Sequence, residues 1–376
     1  MKKIIAVIGS SVGQSGLFRS AKEMGLEVIS FSIPGLTDYS HLSDRHYLIS
    51  VTEIDKIVEI CKEENVVGVV SNGSDFTARI ANQIAFDLGL KCNDPLKFDL
   101  ARNKNFVRKI TNDIEELSPV NYTEYKEGIL PNFPCIVKPY VSGGKCGLSI
   151  AYDQESFANA IHYAKESGTD KILLEDYIDG LELSVETLSY NGQHYVIQTC
   201  EADTTGAPHF VEIAHHLPAN VPHKVEKKIR RIVPRLLNAI GFENGATDIE
   251  LKVDSDGNVY LIEINLRGAG GNITNYLVPL STGYDYLRGL IEIAIDEFQP
   301  VNDLKNDFVG DYYLCLQTEY LLPLFRNSQD KEWLVMSTIT PTNYTRIKEI
   351  KTNEDREGFI IYKGTHKITL EDLSIG

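Results

Sequence analysis

Residues 245–271, G-A-T-D-I-E-L-K-V-D-S-D-G-N-V-Y-L-I-E-I-N-L-R-G-A-G-G, constrain this chain more than any other stretch. Ile249, Leu251 and Val253 alternate with Asp248, Glu250 and Lys252; beyond Asp256-Gly257, Ile262, Ile264 and Leu266 alternate with Glu263, Asn265 and Arg267. Period-two alternation on both sides of Asp-Gly predicts a β-hairpin. The dipeptide suits a two-residue type I′ turn, whose central residues both take positive φ. Counting back from that turn pairs Ser255 with Asn258, Leu251 with Ile262, Glu250 with Glu263 and Asp248 with Asn265. Two carboxylates then stand directly opposite each other, which destabilises a strand pair. Unit charges ~4 Å apart repel by about 1 kcal/mol in water and several times more near a protein surface. The pair therefore needs a cation. Two carboxylates and an amide oxygen are hard ligands of the kind that hold Mg²⁺ jointly with phosphates. Arg267, on the same face, suits a phosphoryl oxygen. A merely solvated acidic face is the alternative.

At 376 residues the chain is long enough for two or three domains with cores of their own. A formal charge of −16 argues against nucleic acid or an anionic membrane as partner. The six cysteines form no C-x-x-C pair, which points to reduced thiols and a cytoplasmic location. The opening M-K-K-I-I-A-V-I-G has too short an apolar run for a signal peptide and reads as a buried strand.

Strands at residues 3–9, 27–31, 47–51 and 66–70 alternate with helices from residues 15, 53 and 75. This pattern implies a doubly wound parallel sheet, an α/β domain over residues 1–95. Gly9, Gly13 and Gly16 are not spaced G-x-G-x-x-G and no acid ends the second strand, so a dinucleotide site is not expected. The glycine loop instead suits a tight turn, or contact with a small anion through backbone amides. A helix over residues 101–112 carries Lys104, Arg108 and Lys109. After it, strand 135–137 runs out to Lys138, and the loop Ser142-Gly143-Gly144-Lys145-Cys146-Gly147 can bring backbone amides to phosphates. Strand 148–152, helix 154–167 and strand 172–178 follow. Residues 209–215 read as a strand with His209, Val211, Ile213 and His215 on one face, and Phe210, Glu212 and Ala214 on the other. The three nearby histidines lack the spacing of a zinc site.

The order of these parts (a lysine helix, a strand ending in lysine, a glycine-rich hairpin, E-D-Y-I-D-G-L-E-L-S-V-E-T-L, then D-I-E-L and I-E-I-N-L-R) resembles the ATP-grasp superfamily over roughly residues 3–295. The resemblance implies an N-terminal Rossmann-like domain followed by a two-lobed ATP-grasp fold (α+β). Its lobes fall at 96–185 and 186–300, with a β-rich extension at 301–376 that shows no chemistry of its own. Lys104 and Lys138 match the family's phosphate lysines, and Ser142, Gly143, Gly144 and Lys145 its phosphate lid. Glu175, Asp176, Tyr177 and Ile178 match the hinge that reads adenine, and Glu182 the ribose-binding acid. Glu250, Glu263 and Asn265 match the Mg²⁺ ligands, and Arg267 the arginine on the transferred phosphoryl group. The run F-V-E-I-A-H-H-L-P is similar to the E-I-G-H-x-x-P segment of ligases that join two amino acids. It makes Glu212 and His215 substrate positions, with Ala214 replacing a glycine. Gly270 and Gly271 follow Arg267 where biotin carboxylases carry V-E-H, and suit a substrate carboxylate or acyl phosphate.

What the resemblance implies is an ATP-dependent, ADP-forming carboxylate–amine ligase with amino-acid substrates, ATP and one or two Mg²⁺ (Mn²⁺ as a substitute). Its partners would be a small carboxylate and an amine, free or on a carrier protein, and dimers are common in such families. A carboxyphosphate-forming enzyme and a non-catalytic ATP-binding protein are the alternatives.

Overall fold

The computed structural model describes residues 2–33, 35, 38–141, 146–207 and 210–374. Strands β1 (Ile4–Ile8), β2 (Glu27–Phe31), β3 (Arg45–Tyr47) and β4 (Val66–Val70) form a parallel sheet in the order β3-β2-β1-β4. Apolar runs fit a sheet covered on both faces, and Ile5, Val7, Ile8, Val28 and Ile29 are fully buried. The third strand ends at Tyr47 rather than starting there. Ile49 and Val51 pack against the core beyond the end of its pairing.

The expected helix at 101–112 starts later, at Lys104 (Lys104–Thr111), and a separate helix, Pro95–Ala101, precedes it. Asn103 separates them: its side chain accepts from Phe106 N–H at 3.1 Å and its backbone is extended. An asparagine that caps a new helix stops the old one.

Strands β5 (Tyr122–Glu124), β6 (Cys135–Pro139), β7 (Ser149–Ala151) and β8 (Ile172–Asp176) form a small antiparallel sheet in the order β5-β8-β6-β7. Next in the chain are β9 (Leu181–Tyr190), β10 (Gln193–Thr204), β11 (Glu212–Leu217), β12 (Gly245–Val253) and β13 (Val259–Asn265). The last three are β14 (Phe308–Tyr313), β15 (Leu334–Ser337) and β16 (Phe359–Gly364). These eight make a long antiparallel sheet in the order β13-β12-β9-β10-β11-β14-β16-β15. The C-terminal strands are thus part of the sheet that carries the hairpin. Within the expected β-rich extension, Asn343–Thr345 form a short 3₁₀ turn and β15 pairs with β16.

Helix His223–Ile240 presents Val225, Ile229, Ile232, Val233, Leu236 and Leu237 to the hairpin's apolar face at i, i+3/i+4 spacing. Gly241, at φ +68°, ends it in the left-handed conformation. Among the described residues no helix is long and apolar enough to cross a membrane.

The hairpin departs from expectation at its turn. Gly257 N–H donates to Asp254 O at 3.0 Å and Asp254 N–H to Asn258 O at 3.1 Å. Gly257 has positive φ and Asp256 does not. This is a type I turn closed by a left-handed glycine, in a three-residue loop. The Asp254 carboxylate fixes it by accepting from the N–H groups of Asp256 and Asn258 at 3.0 and 2.9 Å. Leu251 accordingly faces Leu261 rather than Ile262. A bulge at Ile262 then restores the expected pairs Glu250–Glu263 and Asp248–Asn265.

Candidate functional site

The site begins with cations brought to the hairpin's acids. Lys104, first residue of its helix, places Nζ 2.9 Å from Glu263 Oε1. Lys138, buried on β6, places Nζ 2.8 Å from Glu175 Oε2 on β8, two positions along from its register partner Leu173. Arg108 grips the same carboxylate with Nε at 2.6 Å and Nη2 at 3.1 Å. Its other donors reach the carbonyls of Leu261 and Ile262 on β13, at 2.5 and 3.1 Å. Arg108 thus ties the small sheet to the hairpin. Sequence reasoning placed Arg108 on a helix and gave it no role; a cation one helical turn beyond Lys104 was the available signal.

Burial opposes ionisation of Glu175, yet Arg108 and Lys138 hold its carboxyl down to about 2. Burial lowers the Lys138 ammonium from its usual range, with Glu175 and Glu263 opposing the shift. Burial likewise works against the Glu263 carboxylate, and the charges of Lys104 and Lys138 outweigh it and keep the group low.

On the hairpin, Asn265 Nδ2 donates to Glu250 Oε1 at 3.1 Å, and Arg267 Nη1 to Asp248 Oδ2 at 2.5 Å. Among the described residues no three His, Cys, Asp or Glu side chains are placed to hold a metal ion. What the hairpin offers is Glu250 opposite Glu263, with Asn265 alongside and Lys104 supplying positive charge. That set fits Mg²⁺ completed by phosphate oxygens and water, not a cage made by protein alone.

One further acid, Glu186, was missed, and Asp248 gains a partner beyond Asn265. Ser184 donates to Asp248 at 2.6 Å, and Glu186, opposite Asp248 on β9, is fully buried. Burial and the Asp248 charge push the Glu186 carboxyl well above its ordinary range. It accepts the Ala269 N–H at 3.2 Å and so anchors the glycine run after Arg267.

That run meets the N-terminal sheet. A Cβ added to Gly73 would lie 2.8 Å from Gly13 Cα and 3.4 Å from Gly270 Cα, and one on Gly268 would strike Asn72 Oδ1 at 2.7 Å. Gly13 and Gly73 follow β1 and β4, at the carboxyl ends of adjacent strands, and Asp75 Oδ1 lies 3.9 Å from Arg267 Nε. Gly16 packs against Asn275 and Leu287. Gly13 therefore serves close packing of backbone on backbone, and Gly16 leaves room for the Asn275 and Leu287 side chains.

At the hinge, Tyr177 N–H donates to Pro134 O at 3.3 Å and Asn121 Nδ2 to Asp176 Oδ2 at 2.7 Å. Lys252 Nζ donates to Ile178 O at 3.1 Å and sits 5.1 Å from the Tyr177 ring centre. The Glu175 backbone belongs to β8, and its side chain serves Lys138. Tyr177, Glu182, Lys252, Asp203 and Thr204 line a cleft of about 390 Å³. Ser142, Gly143, Gly144, Lys145 and His209 lie outside the described residues.

The expected strand at 209–215 starts only at Glu212, because Phe210 turns the chain at φ +48°. Arg356 Nη2 reaches Glu212 Oε2 at 3.3 Å, and its guanidinium stacks 3.9 Å from the Tyr313 ring centre. His215 Nδ1 lies 3.0 Å from Asp311 Oδ1, and Asn272 Nδ2 donates to Asp311 Oδ2 at 2.8 Å. A Cβ on Gly271 would be 3.4 Å from Tyr313 Oη. The C-terminal extension, expected to carry no chemistry, thus contributes Asp311, Tyr313 and Arg356 to the surroundings of Glu212, His215 and the glycine run.

A family model described as the ATP-grasp domain matches residues 131–275. The carbamoyl phosphate synthase large chain of Micrococcus luteus is 27% identical over 277 residues, covering 69% of this chain and 24% of that protein. The chain thus spans about a quarter of the length of the curated relatives it matches. In fold it is similar to the L-amino acid ligase from Bacillus licheniformis, with TM-score 0.78 and 21% identity over 99% of this chain and 95% of that one. It is also similar to the phosphoribosylglycinamide synthetase from Anaerococcus prevotii, with TM-score 0.76 and 19% identity over 100% and 96%.

Proposed function

Residues 131–275 form an ATP-grasp domain, and from that premise we propose that the protein is an ADP-forming ligase that activates a carboxylate as an acyl phosphate and joins it to an amine. The reading is carried by one juxtaposition. Through Asp311, the strand bearing Glu212 and His215 is bonded to Asn272, the end of the glycine run that follows Arg267. A substrate held there has its carboxylate next to the arginine and its acceptor next to a histidine.

Lys104 and Lys138 neutralise nucleotide phosphates in the cleft between the small sheet and the hairpin. Tyr177, Ile178 and Glu182 hold the nucleoside, with Lys252 bracing the hinge carbonyl. Glu250, Glu263 and Asn265 would hold Mg²⁺, which supplies charge neutralisation and an in-line clamp on the phosphates. Arg267, oriented by Asp248, stabilises the phosphoryl group as it passes to the carboxylate. The backbone amides at Gly270 and Gly271 receive the resulting acyl phosphate, and Glu212 and His215 receive the amine. Exclusion of water protects the activated acid from hydrolysis.

Relatedness to carbamoyl phosphate synthase large chains favours a second reading, formation of carboxyphosphate from bicarbonate. Phosphate release from Mg-ATP, screened over amino acids singly and in pairs and over bicarbonate, separates the two. Release that needs a pair, with a product mass equal to their sum less water, is the expected result. Release with bicarbonate alone would replace it with the second reading.

A further inference from the structure

His215 and Asp311 are register partners on β11 and β14, their side chains on one face of the sheet. Asp311 is fully buried and accepts three hydrogen bonds: from His215 Nδ1 at 3.0 Å, from His215 N–H at 2.8 Å and from Asn272 Nδ2 at 2.8 Å. Burial opposes its ionisation, but His215 and Asn272 hold its carboxyl below the ordinary range. An ionised carboxylate only accepts hydrogen bonds, so Nδ1 must carry the proton. In a neutral ring the lone pair then sits on Nε2. Among the described residues Nε2 has no hydrogen-bond partner, although the ring is 95% buried.

We propose that Asp311 is a positioning residue that fixes His215 as the Nδ1–H tautomer, so that Nε2 serves as the base that deprotonates the attacking amine. This rests on the amine-joining reading above. Nε2 takes one proton from the substrate ammonium. The freed lone pair forms the C–N bond, and the C–O bond to phosphate breaks with its electrons leaving on phosphate. The second nitrogen proton departs with the phosphate. Among the described residues, the charged and titratable groups near the ring include Asp311 and Tyr313 on β14, Cys200 on β10, which acts on Asp311, and the Glu212–Arg356 pair beyond Tyr313. Tyr313 meets the ring edge-on at 5.9 Å. His216 points away, to Tyr362 and Asp203. Asn272 makes the device more than a local pair, because the carboxylate that sets the tautomer also holds the end of the glycine run.

The test uses full-length protein with ¹⁵N-labelled histidine, the His215 signal being assigned from its loss in His215→Gln. Wild type should show a protonated Nδ1 and a bare Nε2, and a protonated Nε2 would overturn the proposal without reference to activity. Asp311→Asn has one acceptor oxygen where the carboxylate has two, so it cannot serve the His215 N–H, Nδ1–H and Asn272 amide together, and the Nε2–H tautomer should appear in the ¹⁵N spectrum. With hydroxylamine as nucleophile, which needs no base near neutral pH, Asp311→Asn should lose much less of its hydroxamate-forming rate than it loses with an amino acid as acceptor. With an amino acid as acceptor it should fall by about 100-fold. The rate should recover only at higher pH, where the free amine is abundant. Equal losses with both nucleophiles, or no loss with either, would overturn the proposal. Failure of the wild type to form any hydroxamate would sink the ligase reading itself and with it the catalytic part of the proposal, while the tautomer measurement would still decide the Asp311–His215 geometry.

Discussion

Glu175→Gln removes the carboxylate that Arg108 and Lys138 share. All three side chains are at most 5% exposed, so little screening by water reduces the loss. Removing one partner of a buried ion pair costs about 3–5 kcal/mol. The titration of Glu175 gives a similar figure. Its carboxyl is held at about 2 against an ordinary 4.5, and each pKa unit is about 1.4 kcal/mol, which makes roughly 3 kcal/mol. The sign follows from a depressed folded-state value. The contribution is present above the ordinary value of 4.5 and is lost as pH falls toward about 2. Urea unfolding should therefore show Glu175→Gln less stable than wild type by about 3–5 kcal/mol near neutral pH, with the gap closing in acid.

The two cations adapt differently. Arg108 cannot release its proton but keeps the carbonyls of Leu261 and Ile262. Lys138, whose ammonium burial already disfavours, should go neutral and lose its hold on phosphate. KM for ATP should then rise on the order of 10-fold. Arg108→Met added to Glu175→Gln should recover part of the stability but not the ATP affinity, since it removes a buried cation without restoring the lysine's charge. A Glu175→Gln protein within about 1 kcal/mol of wild type, or a double variant no more stable than the single one, would refute the reasoning.

Glu263→Gln keeps the hairpin's shape and removes a charge from the proposed metal site; Mg-ATP turnover should fall on the order of 100-fold, and a near wild-type rate would sink the metal assignment. Gly73→Ala places a methyl 2.8 Å from Gly13 Cα at φ +72°, and should cost about 1–3 kcal/mol in denaturant melts. His216 is buried against Tyr362, and burial holds its imidazole below the usual value despite Asp203. Folding thus favours its neutral form, so its contribution is complete above about pH 6.5 and declines as pH falls through that value. His216→Gln should flatten that part of the stability–pH curve, and an unchanged slope would assign it to other groups.

The hairpin register was legible because one face had to be apolar and the other carried the acids, a pattern with a period of two. Its turn was not, because Asp254 spends its side chain on loop amides and adds a residue to the loop. The bulge at Ile262 removes that residue again, so the acids meet as counted although the turn was misread. Local alternation survives such paired errors only if nothing else depends on Ile262. Leu261 takes its place in the core, fully buried opposite Leu251.

The C-terminal strands mark where pattern reading stops. Asp311 sits in the run F-V-G-D-Y-Y, which reads as an ordinary strand with one polar residue, and its partners lie 96 and 39 positions away in sequence. Nothing local says that β14 will lie beside β11 rather than at a distant edge. Once it does, the energetics leave little choice: a fully buried carboxylate must find donors or stay protonated. Asp311 finds a backbone amide, an imidazole and an asparagine amide, one of them at the end of the glycine run. A charged residue within an apolar strand was therefore the available signal in the sequence. Its meaning came from the neighbour strand, and the same logic sets Glu186 apart, a buried acid on β9 whose partner amide, Ala269, follows Arg267 by two residues.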